Sequence, residues 1–204
     1  QSYGFIHYQT HVSGPRKSTR LSVRGLHDRA QVYQDGELIG VLERENPSRT
    51  LTVAIPPQGS TLEFLVENMG RVNYGPELVD RKGITAGVLL GQQFLFGWIN
   101  RPLPLSDLSE IRFSAGLPER YPAFFRGSFE VDAPADTYLF LPGWTKGVAW
   151  INGFNLGRYW KRGPQKRLYI PAPLLKAGRN EITVLELHGL GKAVVELRGE
   201  PGQD

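Results

Sequence analysis

The sequence predicts an all-β chain built as two jelly-roll-like β-sandwiches that arose by internal duplication. Three observations carry this. Glycine (24) and proline (15) are frequent and spread along the 204 residues, as in a protein of many turns. Short stretches alternate apolar and other residues at strand period, and no long stretch keeps a helical one. Finally, the chain repeats itself once.

The repeat is read by setting TRLSVRGLHDRAQVYQDGELIG (Thr19–Gly40) against TYLFLPGWTKGVAWINGFNLG (Thr137–Gly157). Thr19, Leu21, Val23 and Gly25 match Thr137, Leu139, Leu141 and Gly143. After a one-residue gap, Asp35-Gly36 matches Asn152-Gly153, and Ile39-Gly40 matches Leu156-Gly157. Upstream, YGFIHYQTHV (Tyr3–Val12) resembles PAFFRGSFEV (Pro122–Val131). Downstream, Ile55-Pro56 pairs with Ile170-Pro171, and GSTLEFLVE (Gly59–Glu67) with GRNEITVLE (Gly178–Glu186). Units of this size are domains rather than solenoid repeats.

Element by element, TRLSVRG and TYLFLPG read as half-buried strands, as do LEFLVE and EITVLEL, which are rich in strand-favouring types. Asp-Gly and Asn-Gly are the strongest two-residue hairpin signals, because a type I′ turn needs positive φ at both central positions. LPLSDLSEIRF (Leu103–Phe113) has room for a short turn. The proline-rich NRPLPLSDLSEIRFSAGLPERYP reads as an ordered connection. The expected organisation is therefore a first sandwich over 1–99, a linker over 100–121 and a second sandwich over 122–204.

Composition narrows the function classes. Hydrophobic residues make up 40% of the chain, enough for packed cores, and there is no cysteine. That excludes disulfides, thiolate metal sites and a cysteine nucleophile, but leaves the compartment open. No apolar run approaches the length of a membrane-spanning helix, so no membrane partner is expected. The start, QSYGFIHYQ, lacks the basic-then-apolar pattern of a signal peptide. Gln rather than Met at position 1 leads to the expectation that the chain was cut from a longer one. The net charge is +4. Basic residues are interleaved with acids in ERENPSR, DRKG and LPERY, with one basic cluster at RYWKRGPQKR, Arg158 to Arg167. That is the pattern of a solvated face rather than of a nucleic-acid site.

Catalytic constellations are weak. His7 and His11 have no carboxylate spacing that suggests a metal, and no metal or cofactor is expected. His27-Asp28-Arg29 resembles an acid/base set, but neighbours on one strand point to opposite faces. His27 and Asp28 are therefore not expected to converge, and the tripeptide reads as structural. No Gly-x-Ser-x-Gly elbow or phosphate loop is present. Among Glu43, Glu45, Glu67, Glu130 and Glu186 nothing singles out the carboxylate pair that a glycosidase requires. No complete active site is expected in this chain.

Function specific to one copy should lie where the copies differ. Copy two turns quickly through LHGLGKAVVEL (Leu187–Leu197), whereas copy one inserts ENMGRVNYGPELVDRKG (Glu67–Gly83) before ITAGVLL. Loops on a rigid sandwich are the usual place for recognition. Arg71 and Asn73 offer hydrogen bonds to hydroxyls, and Tyr74 offers a flat apolar face with a polar tip. The competing reading is that Arg71 and Asn73 tie the loop to the sandwich. A second candidate is WINGFNLGRYW with its surroundings, where Trp144, Trp150 and Trp160 are candidate sugar-stacking residues. Its counterpart VYQDGELIGVL keeps the turn but has one aromatic. Turn chemistry and core packing are thus the shared content. Alternation sets Trp150 opposite Ile151, one face towards the core and the other towards solvent.

The runs GLHDRAQVYQDGELIGVLER, LVENMGRVNYGPE, LPGWTKGVAWINGFNLGRYW and GPQKRLYIPAPLL resemble, in this order, the C-terminal β-domains of glycoside hydrolase family 35 β-galactosidases. The resemblance covers nearly the whole chain and is weakest in the linker and the last residues. It implies two galactose-binding-like sandwiches and a parent enzyme that hydrolyses terminal β-galactosyl residues by a retaining mechanism. The parent's two catalytic glutamates would lie on a preceding (β/α)₈ barrel, which needs about 250 residues and is not in this sequence. The implied partners are that barrel and a β-galactoside substrate. The implied role of Tyr74 is to line the aglycone side of the pocket, with Arg71 as a loop-ordering neighbour. Two alternatives stand beside this: a free-standing carbohydrate-binding module for galactosides, and a structural or homo-oligomerisation module.

Overall fold

The computed structural model describes residues 4–46, 48–76, 78–163 and 166–202. Glu77 of the copy-one loop and the Pro164-Gln165 pair of GPQKRLYIPAPLL lie outside these. The chain divides into two compact units, Gln1–Leu105 and Ser106–Asp204.

The first unit contains β1 (Phe5–Val12), β2 (Arg16–His27), β3 (Arg29–Gln34), β4 (Glu37–Glu43), β5 (Thr50–Ile55), β6 (Ser60–Glu67), β7 (Gly83–Leu90), β8 (Gln93–Phe94) and β9 (Ile99–Leu103). They form two antiparallel sheets, β4-β3-β6-β1-β9 and β5-β2-β7-β8. Leu21, Val23, Val53 and Val88 from one sheet, with Val32, Leu62, Phe64 and Val66 from the other, make the core between them. The second unit contains β10 (Ala123–Val131), β11 (Thr137–Phe140), β12 (Lys146–Ile151), β13 (Phe154–Trp160), β14 (Arg167–Ile170), a 3₁₀ turn (Ala172–Leu174), β15 (Gly178–Glu186) and β16 (Glu196–Arg198). Its sheets are β10-β15-β12-β13 and β14-β11-β16. No helix among the described residues is long and apolar enough to cross a membrane.

The duplication holds strand for strand. The pairings β1–β6, β6–β3, β3–β4, β2–β5 and β2–β7 recur as β10–β15, β15–β12, β12–β13, β11–β14 and β11–β16. The first unit adds β8 and β9. Both hairpins turn through positive φ, at Asp35 (51°) and Gly36 (81°) and at Asn152 (49°) and Gly153 (83°), the geometry of a type I′ turn. In each, the first turn residue accepts a hydrogen bond from the strand opposite: Thr61 N–H to Asp35 Oδ1 at 2.8 Å, and Glu181 N–H to Asn152 Oδ1 at 3.0 Å. Each hairpin also shifts register at the same place, between Val32 and Tyr33 and between Ala149 and Trp150.

Two details differ from the sequence reading. Gln34 faces Leu62 and Ile151 faces Ile182, so Ile182, Val184 and Glu186 take the places of Leu62, Phe64 and Val66. The pairing of GSTLEFLVE with GRNEITVLE is therefore one residue out, because copy two holds one more residue between its glycine and its first core position. The linker also starts later than expected. Residues 99–103 pair with β1, Gln9 opposite Ile99 through Phe5 opposite Leu103. As an edge strand, β9 tolerates Pro102, whose missing N–H needs no partner. From Ser106 onward the connection belongs to the second unit. It turns at Leu108–Ile111, where Ile111 N–H donates to Leu108 O, and Phe113 lies 4.2 Å from the Arg126 guanidinium of β10.

Asn152 does more than turn the chain: its amide also donates to Leu174 O and to Asn180 Oδ1, each at 2.8 Å. Asn152→Ala removes three hydrogen bonds worth about 1 kcal/mol each and puts a poorer residue at positive φ. Urea unfolding followed by tryptophan fluorescence should show the second unit losing about 2–4 kcal/mol.

Candidate functional site

The copy-one loop between β6 and β7 is held at its root and open at its tip. Arg71, Asn73 and Tyr74 are exposed, Tyr74 at 89% and the nearby Val79 at 80%. None of the three makes a side-chain hydrogen bond to another described residue, so among the described residues Arg71 and Asn73 are not what ties the loop to the sandwich. That task falls to the residues on either side. Asn68 N–H donates to Gly4 O at 3.1 Å, Gly70 N–H to Asn68 Oδ1 at 3.0 Å, and Met69 N–H to Asp28 Oδ2 at 2.8 Å.

Asp28 belongs to a cluster that the sequence reading dismissed. Lys82 Nζ donates to Asp28 Oδ1 and Oδ2 at 3.0 and 2.8 Å and to Asp80 Oδ2 at 2.7 Å. Arg44 Nη1 reaches Asp28 Oδ1 at 3.2 Å and both Asp80 oxygens at 3.0 and 2.9 Å. His27 Nδ1 lies 2.9 Å from Asp80 Oδ1. His27 and Asp28 thus do converge, contrary to expectation. The alternation rule fails because β2 ends at His27 in one sheet and β3 begins at Arg29 in the other, with the chain turning the corner between them. Asp28 also uses its backbone there, donating to Glu67 O at 3.0 Å and accepting from Arg44 N–H at 2.7 Å.

The chemistry of this cluster is structural. Ligand atoms of His27, Asp28 and Asp80 lie within 4.8 Å of one another, a spacing that suits a divalent cation. The Lys82 ammonium, however, already takes lone pairs of both carboxylates, and Arg44 adds a second positive charge. Two carboxylates and two cations balance, leaving no negative charge to hold a metal. The hydrogen bond from Lys82, with further ones from Arg44 and His27, holds the Asp80 carboxyl far below the usual carboxylate range although burial opposes this. Such a carboxylate stays ionised at any working pH and is no proton donor.

In the second unit, Trp144 and Trp160 come together at one cleft and Trp150 does not. The cleft has a volume of about 200 Å³ and is lined by Phe140, Trp144, Tyr159, Trp160, Lys161 and Lys166 among others, small beside the roughly 300–1,000 Å³ of typical ligand pockets. Trp144 is a core residue: its indole N–H donates to Val194 O at 2.8 Å, and its ring meets Phe125 edge-on at 5.0 Å. Trp160 is half-buried, with Lys146 Nζ 4.4 Å and the Arg162 guanidinium 4.8 Å from its ring. Those cation–π contacts compete with a sugar for the π surface of the ring. Trp150 is 1% exposed. The expected solvent-facing side of β12 is covered: Phe124 lies 6.1 Å from Trp150, and Phe113 of the connection lies over Arg126 on the same outer face. Trp150 is not a stacking platform.

The candidate carboxylates do not form a catalytic pair. Glu43 hydrogen-bonds Arg29 at 3.1 Å, while Glu45 and Glu130 are exposed. Glu67 faces Arg29 across the β3–β6 pair. Glu186 was among the candidate carboxylates, but its buried structural role was not read from the sequence. It is fully buried at the core-facing place that Val66 holds in copy one. It accepts backbone N–H bonds from Thr145 (2.8 Å), Lys146 (3.3 Å), His188 (2.9 Å) and Gly189 (3.3 Å), and one from the Tyr159 hydroxyl (3.0 Å). Burial, then the Glu186 charge, push the Tyr159 hydroxyl far above its ordinary range. Gly147 makes room for this contact, since a Cβ there would strike Leu185 O and crowd the Tyr159 hydroxyl. The clue in the sequence was an acid aligned with a core valine, which appears only once the copies are aligned in the right register.

These features define a pair of β-sandwiches, one of which displays an anchored loop. Comparison with known proteins gives the family. Residues 1–104 match the model for "Beta-galactosidase, first all-beta domain", and residues 122–180 the model for "Beta-galactosidase, galactose-binding domain". The chain belongs to the β-galactosidase family. It is 44% identical to a β-galactosidase of Xanthomonas manihotis, covering 83% of this chain and 28% of that protein. It is also 44% identical to a β-galactosidase of Macaca fascicularis, covering 92% of this chain and 31% of that one. The chain thus spans less than one third of the length of these relatives. A Pleurotus ostreatus lectin in complex with GalNAc covers 97% of the chain and 72% of its own at 13% identity, with a TM-score of 0.34, too low to bear on function.

Asp80→Asn removes one carboxylate and leaves Lys82 and Arg44 under-compensated, which should cost the first unit about 3–5 kcal/mol. Arg71→Ala, at the exposed tip, should stay within about 0.5 kcal/mol of the wild type. The pH dependence has a definite sign. Because the folded Asp80 carboxyl is depressed, its contribution is complete above the unfolded carboxylate range, about pH 4, and is lost as pH falls towards the folded value. Urea midpoints of the first unit should be insensitive to Asp80 between pH 8 and 5. They should then fall more steeply below pH 4 in the wild type than in Asp80→Asn.

Proposed function

We propose that this chain is the non-catalytic β-sandwich region of a β-galactosidase. It supports the catalytic barrel and presents the Arg71–Tyr74 loop at the substrate entrance. The parent enzyme would hydrolyse terminal β-galactosyl residues, with its catalytic carboxylates on the barrel. The observation that carries the reading is the contrast within one loop. A buried, charge-balanced cluster fixes the root, while the tip holds Tyr74 at 89% exposure with a guanidinium and an amide beside it. Ordering a loop costs entropy. A loop fixed so firmly, whose Arg71, Asn73 and Tyr74 side chains make no hydrogen bond to another described residue, is suited to an outside partner. Membership in the family and the small share of each relative covered support the rest.

In this role Tyr74 adds apolar contact and one hydroxyl to the part of the substrate beyond the scissile bond. That contact is formed equally in ground and transition states, so it acts on binding rather than on the chemical step. In the full-length enzyme, Tyr74→Ala should raise KM for a β-galactoside with a bulky aglycone about three- to tenfold and leave kcat within twofold. Unchanged kinetics on both bulky and small aglycones would count against the loop's placement. Deleting residues 1–204 from the full-length enzyme should lower both activity and thermal stability; a barrel indifferent to the deletion would remove the supporting role.

One observation favours a second reading, a carbohydrate-binding module: Trp144 and Trp160 share a cleft of about 200 Å³. Calorimetry with galactose and lactose separates the two. Heat that disappears with Trp160→Ala supports the module, and its absence at millimolar sugar leaves the first reading.

A further inference from the structure

A cleft in the first unit lies away from the loop in sequence, on the outer face of the β5-β2-β7 sheet. Its volume is about 460 Å³. Leu21 and Val23 of β2 point into the core. Arg20, Ser22 and Arg24 therefore share the opposite face and border the cleft. Four residues apart on a regular strand, Arg20 and Arg24 are about 13 Å apart at the backbone, with Ser22 midway. Thr50 stands opposite Ser22 on β5. Arg49 stands beside Val23, whose N–H donates to Arg49 O at 3.1 Å. Arg49 and Ser48 thus close the cleft at the Arg24 end.

Three guanidiniums border this cleft, and no carboxylate lines it. Among the described residues none of the three is ion-paired. Arg49 Nε donates to Asn46 O at 3.3 Å, and Arg24 rests 5.9 Å from the Phe94 ring centre, which leaves most of their donors unused. Elsewhere on the same unit three cations are matched by carboxylates: Arg29 with Glu43, and Arg44 and Lys82 with Asp28 and Asp80. Concentrating three like charges around one concavity opposes folding through mutual repulsion. An anion bound there relieves that repulsion. Guanidinium forks match the paired oxygens of sulfate and phosphate, and the Ser22, Ser48 and Thr50 hydroxyls add neutral donors.

We propose that this cleft is an oxyanion-binding site whose ligand carries a sulfate or phosphate group, either as the free ion or as an ester on a sugar. The backbone span between Arg20 and Arg24 leaves room for a sugar ring beside the anionic group. The site is separate in sequence from the Arg71–Tyr74 loop and does not depend on its role.

The test is a ¹H–¹⁵N NMR titration of the chain at low ionic strength with sodium sulfate, sodium phosphate, galactose 6-sulfate and galactose. The expected result is saturable shifts at the amides of Ser22, Arg24, Ser48, Thr50 and Gly91 with sulfate and phosphate. Arg24→Gln and Arg20→Gln, each at an exposed position, should weaken binding at least fivefold, as should raising the salt to physiological strength. Tighter binding of galactose 6-sulfate than of inorganic sulfate identifies the ester as the ligand; equal binding identifies the free oxyanion. No saturable shift at these amides, unchanged affinity in both variants, or galactose binding as tightly as its sulfate would overturn the proposal.

Discussion

The interaction on which the first unit most depends is the closed exchange of charge among Asp28, Asp80, Arg44 and Lys82. The ions come from three parts of the chain: Asp28 from the corner between the two sheets, Arg44 from just after β4, and Asp80 and Lys82 from the end of the inserted loop before β7. Isolated, any of these ions would be costly to remove from water. Together they satisfy one another, and His27 and the Met69 amide complete the set. The cluster therefore fastens a sheet corner and both ends of a long insertion at one point. The second unit has an analogous device of different chemistry. Buried Glu186 gathers four backbone N–H groups and the Tyr159 hydroxyl at the end of β15. Copy two has a short turn there, with no insertion to anchor.

This difference separates the two copies of one duplicated scaffold. The shared features are those that the jelly roll requires: the type I′ turns at Asp35-Gly36 and Asn152-Gly153, the turn side chain bonded across to the neighbouring strand, the register shift two or three residues before each turn, and the interleaved core. The divergent features lie in how each copy uses its charged and aromatic residues. Copy one spends charged residues to hold a loop whose tip is free. Copy two buries its extra tryptophans: Trp144 in the core, Trp150 under the outer layer, and Trp160 against Lys146 and Arg162.

The fold was largely readable from the sequence, because it rests on local chemistry. Asp-Gly and Asn-Gly specify their turns whatever surrounds them, and strand alternation is visible in any window of LSV or LEFLV. What alternation could not report is what covers the second face of a strand. Trp150 was expected on an open face and is 1% exposed, with Phe124 of β10 against it, a contact between strands that alternation within one strand does not report. The linker's first residues hid a strand, as an edge strand containing proline carries little strand pattern. The loop carrying Tyr74 was found by comparing the copies. Its anchor was missed, because Asp28 and Asp80 are 52 positions apart and converge only after two sheets have packed. A rule valid within a strand was applied across a corner.

The central claim is that a rigid root displays a free tip to a ligand held by the rest of the enzyme. Hydrogen–deuterium exchange on the full-length enzyme, with and without a galactoside inhibitor, tests it directly. The account predicts that without inhibitor the Asp28 and Met69 amides are protected while those of 71–75 exchange freely. With inhibitor bound, the 71–75 amides should slow and the root should not change. Tip amides indifferent to the inhibitor, or a root that exchanges as fast as the tip, would contradict it.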